Sequence, residues 1–492
     1  MNIYEQYETI VGLEVHVQLS TISKAFTADA VRFGSEPNTH TSVRSLAHPG
    51  TLPRLNKKQV IFATRLGLAL GCYINQVNMF DRKNYFYADL PKGYQITQDK
   101  KPICIGGALT IHSHSLKSNI SNPKSIRLHH IHMEEDAGKS IHDQDPSVSF
   151  IDLNRAGTPL LEIVTEPDFR SGEEVDVFMT EMRRLVRWLG ISDGNMEEGS
   201  MRCDVNISVR KKGSIEYNTR CEVKNVNSMK FARRAIEFEV KRQIDILEKG
   251  GEIKQNTLNF DPNTGITTPL RSKENAHDYR YLPDPDLPPV VISDELLIEI
   301  KEDMPILPWE MKQEFIEKFG LTDYDSALLC DDRDTAENYL AFIETYPQKL
   351  YKPAANLFIN KFLPSIHAHE RNFVQLMLHH QQWREMLELI ESGKVSASAA
   401  YMKLYPSILE TPSVLASVLT MAENKGMIQS SDSDFLDQIV QEVIAKNPEK
   451  VSEYKKGKKG LIGFFMGEVM KLSKGKAEPK TTNALVLKYL EN

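Results

Sequence analysis

Residues 11–19 read VGLEVHVQL: Val11, Leu13, Val15, Val17 and Leu19 fall on one phase of a period-two repeat, and Gly12, Glu14, His16 and Gln18 on the other. Side chains alternate between the two faces of a strand, so this pattern predicts a half-buried β-strand. Its polar face would display a carboxylate and an imidazole two residues apart. SIRLHHIHMEED (125–136) and LLEIVTE (160–166) are further strand candidates with less regular alternation.

Helices interrupt these strands. The clearest runs from Ser171 as N-cap to Gly190 just past its end, with Val175, Phe178, Met179, Met182, Leu185, Val186 and Leu189 at helical spacing. A second starts near Ser228, ends at Gly250 and is expected to bury Phe231, Ala235 and Phe238; a third follows Asn56. Strands and helices mixed without strict alternation indicate an α+β fold, with a mixed β-sheet and flanking helices, rather than a doubly wound sheet.

Prolines 283, 285, 288 and 289 in YRYLPDPDLPPVVIS (279–293) stop regular structure and suggest a boundary. Beyond it AENYLAFIETY, NFVQLMLHHQQWREMLELIESG and SDFLDQIVQEVIAKNP carry only the helical period. The expected division is therefore 1–290, then an all-α helical domain at 291–410, then an α-helical tail at 411–492.

At 492 residues the chain is too long for one core. Its 41% apolar and 26% charged residues are those of an ordinary globular protein. No early segment reads as a signal peptide and no run approaches the roughly 18 apolar residues of a membrane span, so no membrane association and a cytoplasmic location are expected. Cys72, Cys104, Cys203, Cys221 and Cys330 are odd in number and never spaced C-x-x-C, which argues against a disulfide framework or a cysteine zinc site. The net charge of −7 is unevenly spread: residues 451–492 hold nine lysines against four glutamates, a local +5. Lys455, Lys456, Lys458 and Lys459 flank Gly457 in a spacing that suits phosphate contacts along a nucleic acid; the plainer reading is a solvated basic terminus.

The chemistry concentrates before residue 290. IHMEEDAGKSIH (131–142) ends like a phosphate-binding loop, but the first glycine of such a loop would fall at Met133, where a side chain blocks the approach of backbone to phosphate. The acids need another purpose. Glu14 and His16 on one strand face, Glu134, Glu135 and Asp136 at a strand end, and Glu162 inside the apolar run PLLEIV together suit a Mg²⁺ site, because Mg²⁺ prefers oxygen and keeps waters that substrate phosphates replace. Mixed carboxylate and histidine ligation also admits Mn²⁺ or Zn²⁺, and structural ion pairs are the bland alternative. Of His129, His130 and His132, alternation leaves only the last two on a common face. FDRKNYFYADLPKGYQI (80–96) interleaves Lys83 and Lys92 with Tyr85, Phe86, Tyr87 and Tyr94, a pattern that stacks bases or else forms an aromatic core with snorkelling lysines. No serine elbow or paired cysteine nucleophile is present.

IVGLEVHVQLSTISKAF, FGSEPNT, DRKNYFYADLPKGYQI, HMEEDAGKS, DLNRAGTPLLEIVTEPD, MEEGSMRCDVNISVR and DYRYLPDPDLPP stand in this order along the chain. In these stretches and in the helical tail the sequence resembles the B-subunit family of the aspartyl/glutamyl-tRNA(Asn/Gln) amidotransferases. The resemblance implies a cradle-shaped catalytic domain, a helical domain and a tail that contacts the tRNA elbow. It implies that ATP phosphorylates the side-chain carboxylate of Glu on misacylated tRNA(Gln), or of Asp on tRNA(Asn), and that ammonia displaces the phosphate. It implies two protein partners: an amidase (glutaminase) that releases ammonia from glutamine into a channel, and a small third chain that clasps the two. The family's metal and nucleotide pocket falls on Glu14, His16, Glu135 and Glu162, with Asp204 among the nucleotide-side residues and Lys83 at the channel mouth.

One departure stands out. Many members of the family carry a zinc site with two cysteines after SKxF and a C-P-V-C segment. Here those positions are Thr27, Asp29, Ser42 and Ser45. No structural zinc is expected, and packing around Phe26, Phe33 and Leu46 would have to hold that region. A second reading of the whole chain is a non-catalytic tRNA-binding scaffold, which would bind tRNA without ATP turnover.

Overall fold

A computed structural model describes residues 2–112, 123–142, 145, 147–272, 278–411, 416–429, 433–473 and 477–491. The chain forms two compact units, Met1–Leu307 and Pro308–Asn492.

The first unit is built on a ten-stranded sheet of β1 (Tyr7–Gln18), β2 (Tyr73–Ile74), β3 (Cys104–Ile105), β4 (Ala108–Ile111), β5 (Lys124–Glu135), β6 (Pro159–Thr165), β7 (Met201–Lys211), β8 (Cys221–Val226), β9 (Asn256–Asp261) and β10 (Ile266–Ser272). The spatial order is β10-β9-β8-β7-β1-β6-β5-β3-β2, with β4 also on β5. Among the described residues of this sheet only β8 and β9 run parallel; they are joined across α3 (Met229–Glu248), as a parallel connection requires. The mixed sheet with helices to one side agrees with the α+β expectation.

β1 is central because its two faces differ so sharply. Val11, Leu13, Val15, Val17 and Leu19 are buried in the main core with residues of α1 (Lys57–Ala69), α2 (Gly172–Trp188) and α3. The opposite face carries Glu14, His16 and Gln18. The helix ends follow the sequence signals: Ser171 Oγ accepts from Glu174 N at 3.2 Å, Ser228 Oγ from Phe231 N at 3.1 Å, and Gly190 and Gly250 sit at φ 64° and 76°. On α3 the expectation needs correction. The buried stripe is Ala232, Ala235, Ile236 and Glu239, while Phe231 and Phe238 lie at its margin. Small residues let α3 sit close to the sheet, which turns the larger rings to the side.

The prolines after residue 282 do not end the unit. Leu282–Pro283 pairs with Arg82 and Asp81 in a three-stranded ribbon with Asp81–Asn84 and Tyr94–Thr97, and Arg82 Nε donates to buried Asp284 at 3.0 Å. The segment between β1 and α1 also differs from expectation. Phe26 is buried, but Phe33 is 76% exposed and Leu46 36% exposed, so these side chains do not form a packed centre there. Polar contacts hold the segment instead.

In the second unit all described elements are helical. Leu436, Val440, Val443, Tyr454, Phe465, Val469, Val486 and Leu490 form a hydrophobic cluster of their own at its C-terminal end. Lys455, Lys456, Lys458 and Lys459 are exposed beside it, with Lys459 Nζ 4.1 Å above the Tyr454 ring.

Candidate active site

Strand pairing decides which polar groups meet. His16 pairs with Glu162 across β1 and β6, and Glu162 pairs with His132 across β6 and β5. The three side chains therefore rise in a row on one face, and Glu134, two residues beyond His132, joins them. His16 Nε2 lies 3.2 Å from Glu162 and 3.8 Å from Glu134. His132 Nε2 lies 3.5 Å from each of the same two carboxylates. One ligand atom from each of His16, Glu134 and Glu162 falls within 4.8 Å of the others.

A second trio lies about 7 Å further along β1, the distance of a two-residue step. Glu14 pairs with Asp204 of β7, and with Glu222 of β8 these acids also lie within 4.8 Å of one another. Asn206 Nδ2 donates to Glu14 at 3.0 Å. Lys224 pairs with Asp204 and lies 2.9 Å from Glu222. Beside Glu14 a cavity of about 230 Å³ is lined by Gly12, Val164, Pro167, Asn206, Tyr217 and Arg220.

Of the four residues expected to converge, His16 and Glu162 meet directly, and Glu14 lies on the same face in the neighbouring trio. Glu135 does not join them. It follows Glu134 on β5 and so points the other way, where it pairs with Lys92 and accepts from Ile96 N at 3.0 Å. It lines a separate cavity of about 260 Å³ with Thr27, Ser45, His48, Lys92 and Gly157. Glu222, His132 and Lys224 are participants that the sequence alone does not select, whereas Glu134 is one of the three strand-end acids it offers. Strand parity links Glu134 to His132 in the sequence, but only the pairing with β6 shows that this phase faces Glu162. At His129 the register slips by one residue, and the bulge breaks the alternation there. His129 and His130 then touch, Nδ1 to Nδ1 at 2.7 Å, and His130 Nε2 lies 3.0 Å from His132 Nδ1.

The electrostatics follow from crowding charge in a poorly hydrated place. Burial favours neutral imidazole, but Glu162 and Glu134 outweigh it and raise His16 to about 9. His132 is raised against burial by the same carboxylates. Burial likewise opposes ionisation of Glu162, yet His132, His16 and Lys83 hold it well below the usual carboxylate range. Glu14 is the exception: burial and then the Glu162 charge push it up. Lys83 reaches toward this face from the ribbon, with its ammonium 5.0 Å from the Tyr279 ring centre and 5.9 Å from that of Tyr85. Burial works to lower it, and the charges of Glu134, Tyr281 and Glu162 overcome that.

Such a face offers carboxylate oxygens and an imidazole that would suit a divalent cation, and the Lys83 ammonium would suit an anionic group. Residues 9–298 match the family model described as the GatB/GatE catalytic domain, and residues 341–490 match the GatB domain. The chain is 45% identical over 489 residues to the B subunit of the aspartyl/glutamyl-tRNA(Asn/Gln) amidotransferase of Geotalea daltonii, covering 99% of this chain and 100% of the relative. It is 43% identical to the same protein of Thermodesulfovibrio yellowstonii over 486 residues, and to that of Persephonella marina over 486 residues, with 99% of this chain and 100% of the relative covered in both.

Proposed function

The chain belongs to the B-subunit family of the aspartyl/glutamyl-tRNA(Asn/Gln) amidotransferases, and from this premise we propose that its polar sheet face activates the carboxylate of a misacylated tRNA with ATP and converts it to an amide. The family is a component of an ATP-using amidotransferase that acts in translation, and its designation as one subunit implies a complex of several chains. The observation that carries the reading is the convergence of His16, Glu134 and Glu162 beside the trio of Glu14, Asp204 and Glu222.

The donor set fits Mg²⁺: His16, Glu134 and Glu162 would hold one ion, and the three acids around Glu14 a second. When bound, Mg²⁺ neutralises nucleotide phosphates and charge that develops during phosphoryl transfer. The cavity lined by Tyr217 and Arg220 would receive the nucleoside, which leaves the phosphates over Glu14. An oxygen of the Glu or Asp side chain attacks the γ-phosphorus and ADP leaves. Ammonia then attacks the acyl carbon, the bond to phosphate breaks and one proton is lost from nitrogen. Lys83, cationic and held between Tyr85 and Tyr279, would orient the aminoacyl carboxylate. Ammonia would come from an amidase (glutaminase) partner, with a small third chain clasping the pair, since no nucleophile for glutamine hydrolysis is recognised in this chain. A cytoplasmic location suits a step of translation. Among the described residues no helix is long and apolar enough to cross a membrane.

Reconstitution with the partner proteins tests the reading. Glu162→Gln is expected to lower ATP-dependent amidation of Glu-tRNA(Gln) and Asp-tRNA(Asn) about 100-fold or more, the scale for losing one aimed electrostatic group, while tRNA affinity is kept. Full amidation by that variant would remove the site, and ATP-independent tRNA binding alone would favour a scaffold.

A further inference from the structure

The segment between β1 and α1 contains no regular element beyond a single bridge between Ser23 and Ala30. Much of its apolar surface faces solvent, including Ile22, Phe33, Val43 and Leu52. Asn38 and Ala47 also hold left-handed backbone, at φ 59° and 54°. Such conformations persist in non-glycine residues only where the surroundings over-determine them.

The surroundings are polar: Asn38 is tied to Ile151, Asp152 and Leu153, and a further set of contacts centres on one atom. Asp29 Oδ2 accepts from Thr27 Oγ1 at 3.1 Å, from Ser42 N at 3.0 Å, from Ser42 Oγ at 2.9 Å and from Ser45 Oγ. Thr27 and Ser45 hydroxyls lie 3.3 Å apart around it. The hairpin tip near residue 27 is thereby tied to the turn at 42–48, whose own hydrogen bonds include His48 N to Val43 O at 2.9 Å. Buried Lys24 adds a second tie, donating to His40 O at 2.8 Å and Leu153 O at 3.1 Å.

Thr27, Asp29, Ser42 and Ser45 are the positions at which the family resemblance puts four zinc ligands. This donor set does not fit zinc. Structural zinc sites take thiolates or imidazoles around a central cation, whereas three of these side chains are hydroxyls that stay protonated. Here the polarity is reversed, with an anionic oxygen at the centre and donors around it. We propose that the Asp29 carboxylate replaces a structural metal ion in this chain, as a metal-free knot that closes the 22–56 segment. Because Thr27, Ser45 and His48 line the cavity that contains Lys92 and Glu135, the knot also shapes that wall.

The full-length protein provides the test. Purified wild type should contain no zinc at stoichiometric level by elemental analysis, and prolonged chelation should leave the rate of protease cleavage within residues 22–56 unchanged. Asp29→Asn, which keeps shape but removes the charge, should accelerate that cleavage at least tenfold. The combined variant Thr27→Cys, Asp29→Cys, Ser42→Cys, Ser45→Cys should bind one Co²⁺ with a tetrahedral thiolate spectrum and become sensitive to chelation. Stoichiometric zinc in wild type, chelator-induced cleavage of wild type, or unchanged cleavage of Asp29→Asn would each overturn the proposal. The wild-type measurements decide it even where a variant does not fold.

Discussion

Adjacent carboxylates can have opposite roles when a strand separates them. Glu134 faces His16 and Glu162, so Glu134→Gln is expected to reduce amidation by the reconstituted complex about 100-fold with little change in melting temperature. Glu135 is buried against Lys92 on the other side. Glu135→Gln leaves a half-buried ammonium without its carboxylate partner, a change that costs about 1–3 kcal/mol, and thermal unfolding should reveal it as a lowered first transition. Equal melting points for the two variants would contradict the division. Asp29 behaves as a pH-dependent tie. Burial works to raise its carboxyl, but donors from Ser45, Ser42 and Thr27 hold it below its ordinary value. A depressed folded value means that the contribution is complete above the unfolded pKa of about 4 and disappears as pH falls through the lower folded value. Protease cleavage within 22–56 should therefore rise below pH 4 in wild type, and the Asp29→Asn variant should show no such step.

At the level of elements, α1 depends on a residue that helices ordinarily disfavour. Replacing glycine by alanine inside a helix usually gains roughly 1 kcal/mol. At Gly67 an added Cβ would meet Ile74 Cδ1 at 2.8 Å and Cys104 Sγ, both buried on the sheet edge. Overpacking of that kind costs about 1–3 kcal/mol, so the clash outweighs propensity. Gly67→Ala is expected to destabilise the first unit in denaturant titrations; a stabilised variant would show that α1 can shift away from β2 and β3. The β5 bulge is a further departure from a regular pattern. It brings His129 and His130 together although neighbours on a regular strand face apart.

For the whole molecule, charge is segregated: the −7 total contains a strongly acidic majority and a basic tail. Lys455, Lys456, Lys458 and Lys459 are exposed on a segment that carries its own hydrophobic cluster, so their replacement should leave folding intact. If each contacts one tRNA phosphate, changing all four to Gln should lower the slope of log affinity against log salt by about 3 to 4. Filter binding over a range of salt checks this, and an unchanged slope would place the tRNA contacts elsewhere. Amidation at saturating tRNA should persist, because the acid-rich face belongs to the other unit.

Period two in VGLEVHVQL was enough to establish that β1 is half buried and that Glu14 and His16 share its polar face, since alternation is a local property of the chain. Helix starts at Ser171, Ser228 and Asn56 were legible for the same reason: caps act within one turn. Local pattern could not supply the partners. Whether Glu134 or Glu135 meets His16 depends on the β5–β6 register, and a one-residue slip exchanges them. Glu222 reaches Glu14 only because β8 and β7 pair. The replacement of packing by the Asp29 knot likewise required residues 27 and 45 to be brought together by the fold. Sequence determined which faces are polar; tertiary structure decided which polar groups meet, because pairing register is set by the burial of the whole sheet rather than by any one strand.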